Sequence, residues 1–169
     1  MMARRGAGAL QGSSILGLLG WIAITAAAAA AGSIAAANSR EFYASLQRPA
    51  WAPPGWVFGP VWSVLYLLMA VAAWMVWQAR NFVGARVALV LFLVQLALNA
   101  LWTWFFFAWQ QGGLAFVDVI LVWVVVAMTL NMFWRVRPLA GALLVPYLAW
   151  VSFATALTYA VWKANPGIL

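Results

Sequence analysis

Residues 87–108 read VALVLFLVQLALNALWTWFFFA, twenty-two consecutive residues without a charged side chain. As a helix rising about 1.5 Å per residue they would run about 33 Å, enough to cross the roughly 30 Å hydrocarbon layer of a bilayer. Four further stretches pass the same test: residues 15–37, 56–79, 114–134 and 139–162. Composition agrees, because 68% of the 169 residues are hydrophobic and 7% are charged, where a soluble domain carries about 25% charged residues. The expected fold is an all-α membrane protein, a bundle of five transmembrane helices occupying residues 15–165. A basic tail over residues 1–14 would precede it and a short tail over 166–169 would follow.

The first span has two readings. Arg4 and Arg5, an apolar run and a small-residue exit at Ala35, Ala36 and Ala37 fit a cleaved signal peptide. The run, however, exceeds the about 7–15 residues of a signal core, and Ala28, Gly32 and Ala36, spaced by four, suit a close helix–helix contact. A retained helix is the expectation. The other separators are short, with Gln110, Gln111, Gly112 and Gly113 in one and Arg135, Val136, Arg137 and Pro138 in the next, so consecutive helices should run antiparallel. Only residues 38–55, with Pro49, Pro53 and Pro54, form a long connection, and loops of that length are more often functional than idle. The cations Arg4, Arg5, Arg80, Arg86, Arg135 and Arg137 gather on the N-terminal side against Arg40, Arg48 and Lys163 on the other. By the positive-inside bias, a bacterial cell membrane would hold the N-terminus in the cytoplasm and the long loop outside.

Several function classes fall away. The formal charge of +7 comes from nine scattered Lys and Arg residues, which form no basic stripe of the kind a phosphate backbone needs, so no nucleic-acid partner is expected. There is no Cys or His, and Glu41 and Asp118 are the only acids. Disulfides, Cys/His metal sites and the usual hydrolytic dyads and triads are excluded. Asp118, five positions into the fourth span, either pairs with a neighbouring helix or lies near the headgroups; a solitary proton-relay role is the third reading.

Thirteen tryptophans exceed what interfacial belts need. Trp56, Trp77, Trp109, Trp134 and Trp162 stand at span ends, where an amphipathic ring is favoured. Trp62, Trp102, Trp123 and Trp150 lie inside spans, where the indole N–H needs a partner or a ligand. On the third span Gln95, Asn99 and Thr103 are spaced by four and share one face, either for interhelical hydrogen bonding or to line a cavity. Trp150, Ala154 and Thr158 form a matching stripe on the fifth. Trp62, Asn99 and Ala154 lie roughly 9, 13 and 12 Å below the long-loop side. With Trp102 and Trp150 they can therefore meet at similar depth beneath that loop. Flat indole faces, a small residue that leaves space and a few polar groups suit a flat apolar ligand.

The loop and its neighbours read Phe42-Tyr43, Leu46, Arg48-Pro49, Trp51, Pro53-Pro54, Trp56-Val57-Phe58, Pro60-Val61-Trp62 and Leu65-Tyr66. Asn99 and Trp102 follow, then Val145-Pro146-Tyr147-Leu148-Ala149-Trp150, Phe153-Ala154-Thr155, Trp162 and Asn165. This combination, over about residues 15–165, resembles the TspO/MBR family, the translocator proteins, tryptophan-rich sensory proteins and peripheral-type benzodiazepine receptors. Phe42, where family members often carry Trp, and Thr158, where they often carry Asn, depart from the pattern and bear on ligand specificity.

The resemblance implies a five-helix homodimer that binds porphyrins and, in some members, sterols and synthetic benzodiazepine-site ligands. By position its ligand residues would be Tyr43, Trp51, Phe58, Trp62, Asn99, Trp102, Thr103, Trp150 and Ala154. Leu157, Tyr159 and Lys163 fit a proposed sterol-contact pattern, which an aromatic–basic helix end explains equally well. The expected partners are the lipid bilayer, a porphyrin or similar flat apolar ligand, and a second copy of the chain. No cofactor is required; protoporphyrin IX would be ligand, and without His or Cys strong axial ligation of haem iron is not expected. The leading expectation is a receptor, sensor or transporter with no catalytic residue. The alternatives are light-dependent porphyrin degradation through Trp62 and Trp150, and a regulatory interaction protein without turnover.

Overall fold

A computed structural model describes the backbone of residues 3–169 and the side chains of residues 14–169. The helices are α1 (Ala3–Ala35), α2 (Ser39–Ser45), α3 (Phe58–Gln78), α4 (Ala85–Thr103), α5 (Gly112–Val136) and α6 (Pro138–Ala164). All but α2 are long and apolar enough to cross a membrane, α1 through its Ser14–Ala35 part. The helix thus begins well before the expected residue 15, while most side chains of the 1–14 tail, Arg4 and Arg5 among them, lie outside the described residues.

The ends of the spans depart from expectation for local reasons. A three-residue 3-10 turn, Gly55–Val57, leads into α3. Gly84 adopts a left-handed φ of 90° that opens α4, a conformation favoured for glycine because it has no Cβ. Arg137 alone separates α5 from α6, whose first residue is Pro138; proline loses nothing at that position, since its missing N–H would have no intrahelical partner. At the end of the third span, Trp104–Ala108 wind as a π turn, with the Trp109 N–H reaching back five residues to the Trp104 carbonyl at 2.8 Å.

Around the bundle the spans follow the order α1, α3, α6, α5, α4, and the last closes onto α1. The tightest join is α5 to α6, where a Cβ on Gly141 would come within 2.8 Å of the Trp134 backbone. The first span is part of the packed bundle: Trp21 is buried and meets Phe92 edge-on at 5.7 Å. Phe92 in turn stacks on Phe133 at 5.7 Å. Small residues Ala70, Ala72, Ala73, Ala85 and Ala88, all fully buried, let the backbones approach, as expected where apolar lipid provides little drive for helix association.

The third-span stripe divides between both of its readings. Gln95 is a packing residue: it is 1% exposed, its Oε1 accepts the Tyr147 hydroxyl at 2.7 Å, and its Nε2 lies 3.8 Å from Met69 Sδ. Asn99 and Thr103 belong to the site described below. Tyr147→Phe would leave Gln95 Oε1 without its donor in apolar surroundings. A loss of about 1 kcal/mol and a fall of a few degrees in Tm are expected, read by thermal unfolding in detergent.

Candidate ligand-binding site

The long loop forms a lid, and its sequence explains how. Pro49 to Ala52 makes a turn closed by the Ala52 N–H to the Pro49 carbonyl at 2.9 Å. The Tyr43 hydroxyl donates to the Pro53 carbonyl at 3.1 Å, tying α2 to the proline end of the loop. Arg48 sits 4.7 Å over the Tyr43 ring. Burial lifts the Tyr43 hydroxyl above its usual value of 10.0, with Arg48 pulling the other way. The raised value means that this contribution to stability is intact below pH 10 and is lost as pH rises through it.

The lid is fastened at two places. Leu46, 4% exposed, packs with Phe106, Ala115, Leu157 and Val161. Just beyond α6, the Asn165 side chain accepts the Gln47 N–H at 2.8 Å and donates to the Gln47 carbonyl at 2.9 Å and to the Val161 carbonyl at 2.7 Å. One amide therefore pairs both backbone groups of Gln47 and also caps the last span.

Beneath the lid lies a cavity of about 660 Å³, within the size range of small-molecule sites. Its walls come from α1, α2, α3, α4 with its π turn, and α6, while α5 contributes no lining residue. Of the expected ligand residues, Tyr43, Phe58, Trp62, Asn99, Trp102, Thr103 and Ala154 line it together. Asn99 Nδ2 donates to the Tyr66 hydroxyl at 2.9 Å. Trp102 stacks on Phe106 at 5.4 Å, and its indole N–H is buried without a partner. Arg40 is the one charged side chain among the described lining residues.

Two expected residues stand elsewhere. Trp51 is 51% exposed and packs edge-on against Phe153 at 5.8 Å on the outside of the lid, because the Pro49–Ala52 turn directs it away from the cavity. Trp150 sits one layer behind the wall, 5.9 Å from Phe58 and 6.5 Å from Trp62, since those two rings come between it and the space. The proposed sterol triplet does not form one surface. Leu157 is buried and lines the cavity, whereas Tyr159 is 46% exposed, as two helix positions about 200° apart must be. Lys163 lies over the Tyr159 and Trp162 rings at 5.9 and 4.3 Å, the arrangement of an aromatic–basic helix end.

Other lining residues went unread. Tyr66, one turn beyond Trp62, could have been found from that spacing. Ala26, Ala29 and Ser33 on the first span line the cavity, although small residues there suggested only helix contact. That contact is also present, since a Cβ on Gly32 would meet Thr103 Oγ1 at 3.3 Å. Phe107 faces the cavity beside Phe106; the π turn that allows both has no signature in the residue pattern. Asp118, 4% exposed with Oδ2 unpartnered, lies on α5 and outside the cavity lining.

Five packed apolar spans around a lidded aromatic cavity define a multi-pass integral membrane protein. The sequence profile of the TspO/MBR family matches residues 21–163, and the chain belongs to that family. The human protein named translocator protein is 45% identical over 129 residues, covering 75% of this chain and 76% of its own length. The tryptophan-rich protein TspO of Chlorobaculum tepidum is 40% identical over 129 residues, 74% of this chain and 80% of the relative. The tryptophan-rich sensory protein of Cereibacter sphaeroides is 40% identical over 125 residues, 74% of this chain and 77% of the relative.

Asn165→Ala removes both bonds to Gln47. Hydrogen exchange at the Gln47 amide is expected to quicken about tenfold or more, since each bond contributes roughly 1 kcal/mol net. Exchange measured by mass spectrometry should leave the amides of the spans unchanged, apart from the last turn of α6, which loses its cap on the Val161 carbonyl.

Proposed function

We propose that this chain is a membrane receptor or sensor that binds a porphyrin in the cavity beneath its lid. The observation that carries this reading is the cavity of about 660 Å³ with flat rings from Phe58, Trp62, Tyr66, Trp102 and Phe106 in its walls. Aromatic faces offer a planar apolar ligand large contact areas. Asn99 and Tyr66 supply polar groups inside the bundle, and Arg40 at the lid offers a cation to an acidic edge. The names translocator and sensory protein borne by the relatives fit uptake or signalling of such a ligand. In the same reading the chain acts as a homodimer, with its N-terminus in the cytoplasm and the lid outside.

Titration of protoporphyrin IX into detergent-purified protein, followed by its Soret band, tests the reading. Saturable binding is expected, weakened about tenfold or more by Ala154→Leu, which fills the cavity, and by Trp62→Ala, which removes a wall. Arg40→Gln should weaken the free diacid while leaving its dimethyl ester almost unaffected. Absence of saturable binding in folded protein would refute the reading and favour a regulatory interaction protein.

One contact favours a second reading, light-dependent degradation of the porphyrin. Trp62 lines the cavity with Trp150 6.5 Å behind it, so one oxidisable indole faces the cavity and another stands in reserve. Porphyrin loss should then occur in light and not in darkness, and Trp62→Phe should suppress it. Equal rates in light and dark would sink this reading.

A further inference from the structure

The cavity has a flank as well as a lid. On α1 the lining positions Ala26, Ala29 and Ser33 form a strip spaced by three and four, and Ala26 and Ser33 are exposed. On α3 the lining positions Gly59 and Ser63 are one turn apart and both exposed. Ala26 is nine residues from the end of α1 and Ser63 eight from the start of the 3-10 turn, depths of roughly 14 and 12 Å. The exposed lining therefore continues well into the hydrocarbon layer.

The packing of α1 explains the gap. At the opposite end α1 is held against α3: the Trp74 indole donates to the Ser14 carbonyl at 2.8 Å, and Gln78 Nε2 donates to Ser14 Oγ at 2.7 Å. Gly17 there lies so close to Trp77 that a Cβ would collide with its ring. At the lid end α1 is held instead against α4, with Gly32 on Thr103 and the Trp104 indole donating to the Ala31 carbonyl at 3.2 Å. The helix leaves α3 as it rises and joins α4, and the cavity lies in the opening wedge. Its rim residues are small. Ser33 Oγ donates to the Ala29 carbonyl at 2.8 Å and Ser63 Oγ to the Gly59 carbonyl at 2.9 Å, so the rim hydroxyl protons are used within their own helices.

We propose that the cavity exchanges its ligand with the lipid bilayer through this seam between the lid-side halves of α1 and α3. Its ligand class is then a flat amphiphile dissolved in the membrane, not a solute that enters from water past the lid. The lid fits a closed role, with Asn165 holding both backbone groups of Gln47. The proposal rests on the ligand-binding reading above for the nature of the cargo, while the route itself can be tested without any porphyrin.

The chain contains no cysteine, so Ala154→Cys places a single thiol in the cavity wall. In vesicles it should react about tenfold or more faster with a bilayer-dissolved pyrene maleimide than with a charged, water-soluble thiosulfonate. Ser33→Leu with Ser63→Leu, added to that background, should slow the pyrene reagent by a similar factor and leave the charged one unchanged. Both serines are exposed, which keeps the fold tolerant, and Ala29→Leu alone gives a second, milder block. Unchanged pyrene labelling in both blocked variants would overturn the seam. So would acceleration of both reagents alike by Asn165→Ala, which would assign entry to the lid. Failure of the porphyrin titration would remove the cargo and leave this labelling result standing.

Discussion

Hydrocarbon offers no hydrogen-bond partner, and this structure is organised by that fact. Every backbone N–H and C=O within the bilayer must be paired inside the protein, which is why the apolar runs become helices. Most polar side chains meet the same requirement, with the Trp102 indole N–H and Asp118 Oδ2 as exceptions. Thr25 and Thr129 bond to carbonyls of their own helices, and Tyr147 and Gln95 satisfy each other across the core. A cavity in such a medium has to come from the direction of helices and the size of side chains. Here α1 leans from α3 to α4, and the space lies in the angle. An irregular stretch within a span, the π turn at Trp104–Ala108, sits at the lid end, where it brings Phe106 and Phe107 to one wall.

Much of this was legible before any coordinates. Long uncharged runs bounded by glycine, proline and arginine announce spans because the physics of insertion acts on length and composition, both visible in a sequence. Depth also carried over: Trp62, Asn99, Trp102 and Ala154 line one cavity, since a fixed rise per residue converts position into height. What height does not contain is the layer in which a ring stands. Trp150 has the right depth, but Phe58 and Trp62 occupy the space in front of it. Trp51 belongs to a proline turn whose direction depends on the whole loop. The wall formed by α1 was illegible for a different reason. Alanine, glycine and serine mark a close contact and an opening in the same way, and only the tilt of the helix tells them apart.

The aromatic residues separate into three populations with different physical tasks. Trp56, Trp109 and Trp134 are exposed at span ends, where a ring with one polar edge is at home between lipid tail and headgroup. Trp62 and Trp102 are partly buried within the bundle beside the cavity. Phe116, Tyr159 and Trp162 form a third group on the outer side of α5 and α6, with ring centroids 5.1 to 6.3 Å apart. The abundance of tryptophan is thus the sum of anchoring, packing and walling, and no single role accounts for it.

The bond between Gln47 and Asn165 joins positions 118 residues apart. A ribosome delivers the loop well before Asn165, which follows the fifth span. Through most of synthesis the lid lacks its latch, and the cavity residues of α1 and α3 enter the membrane before the wall on α6 exists. The site is therefore completed only once the fifth span has inserted, and any chain that stops short of residue 165 is left with an unfastened roof.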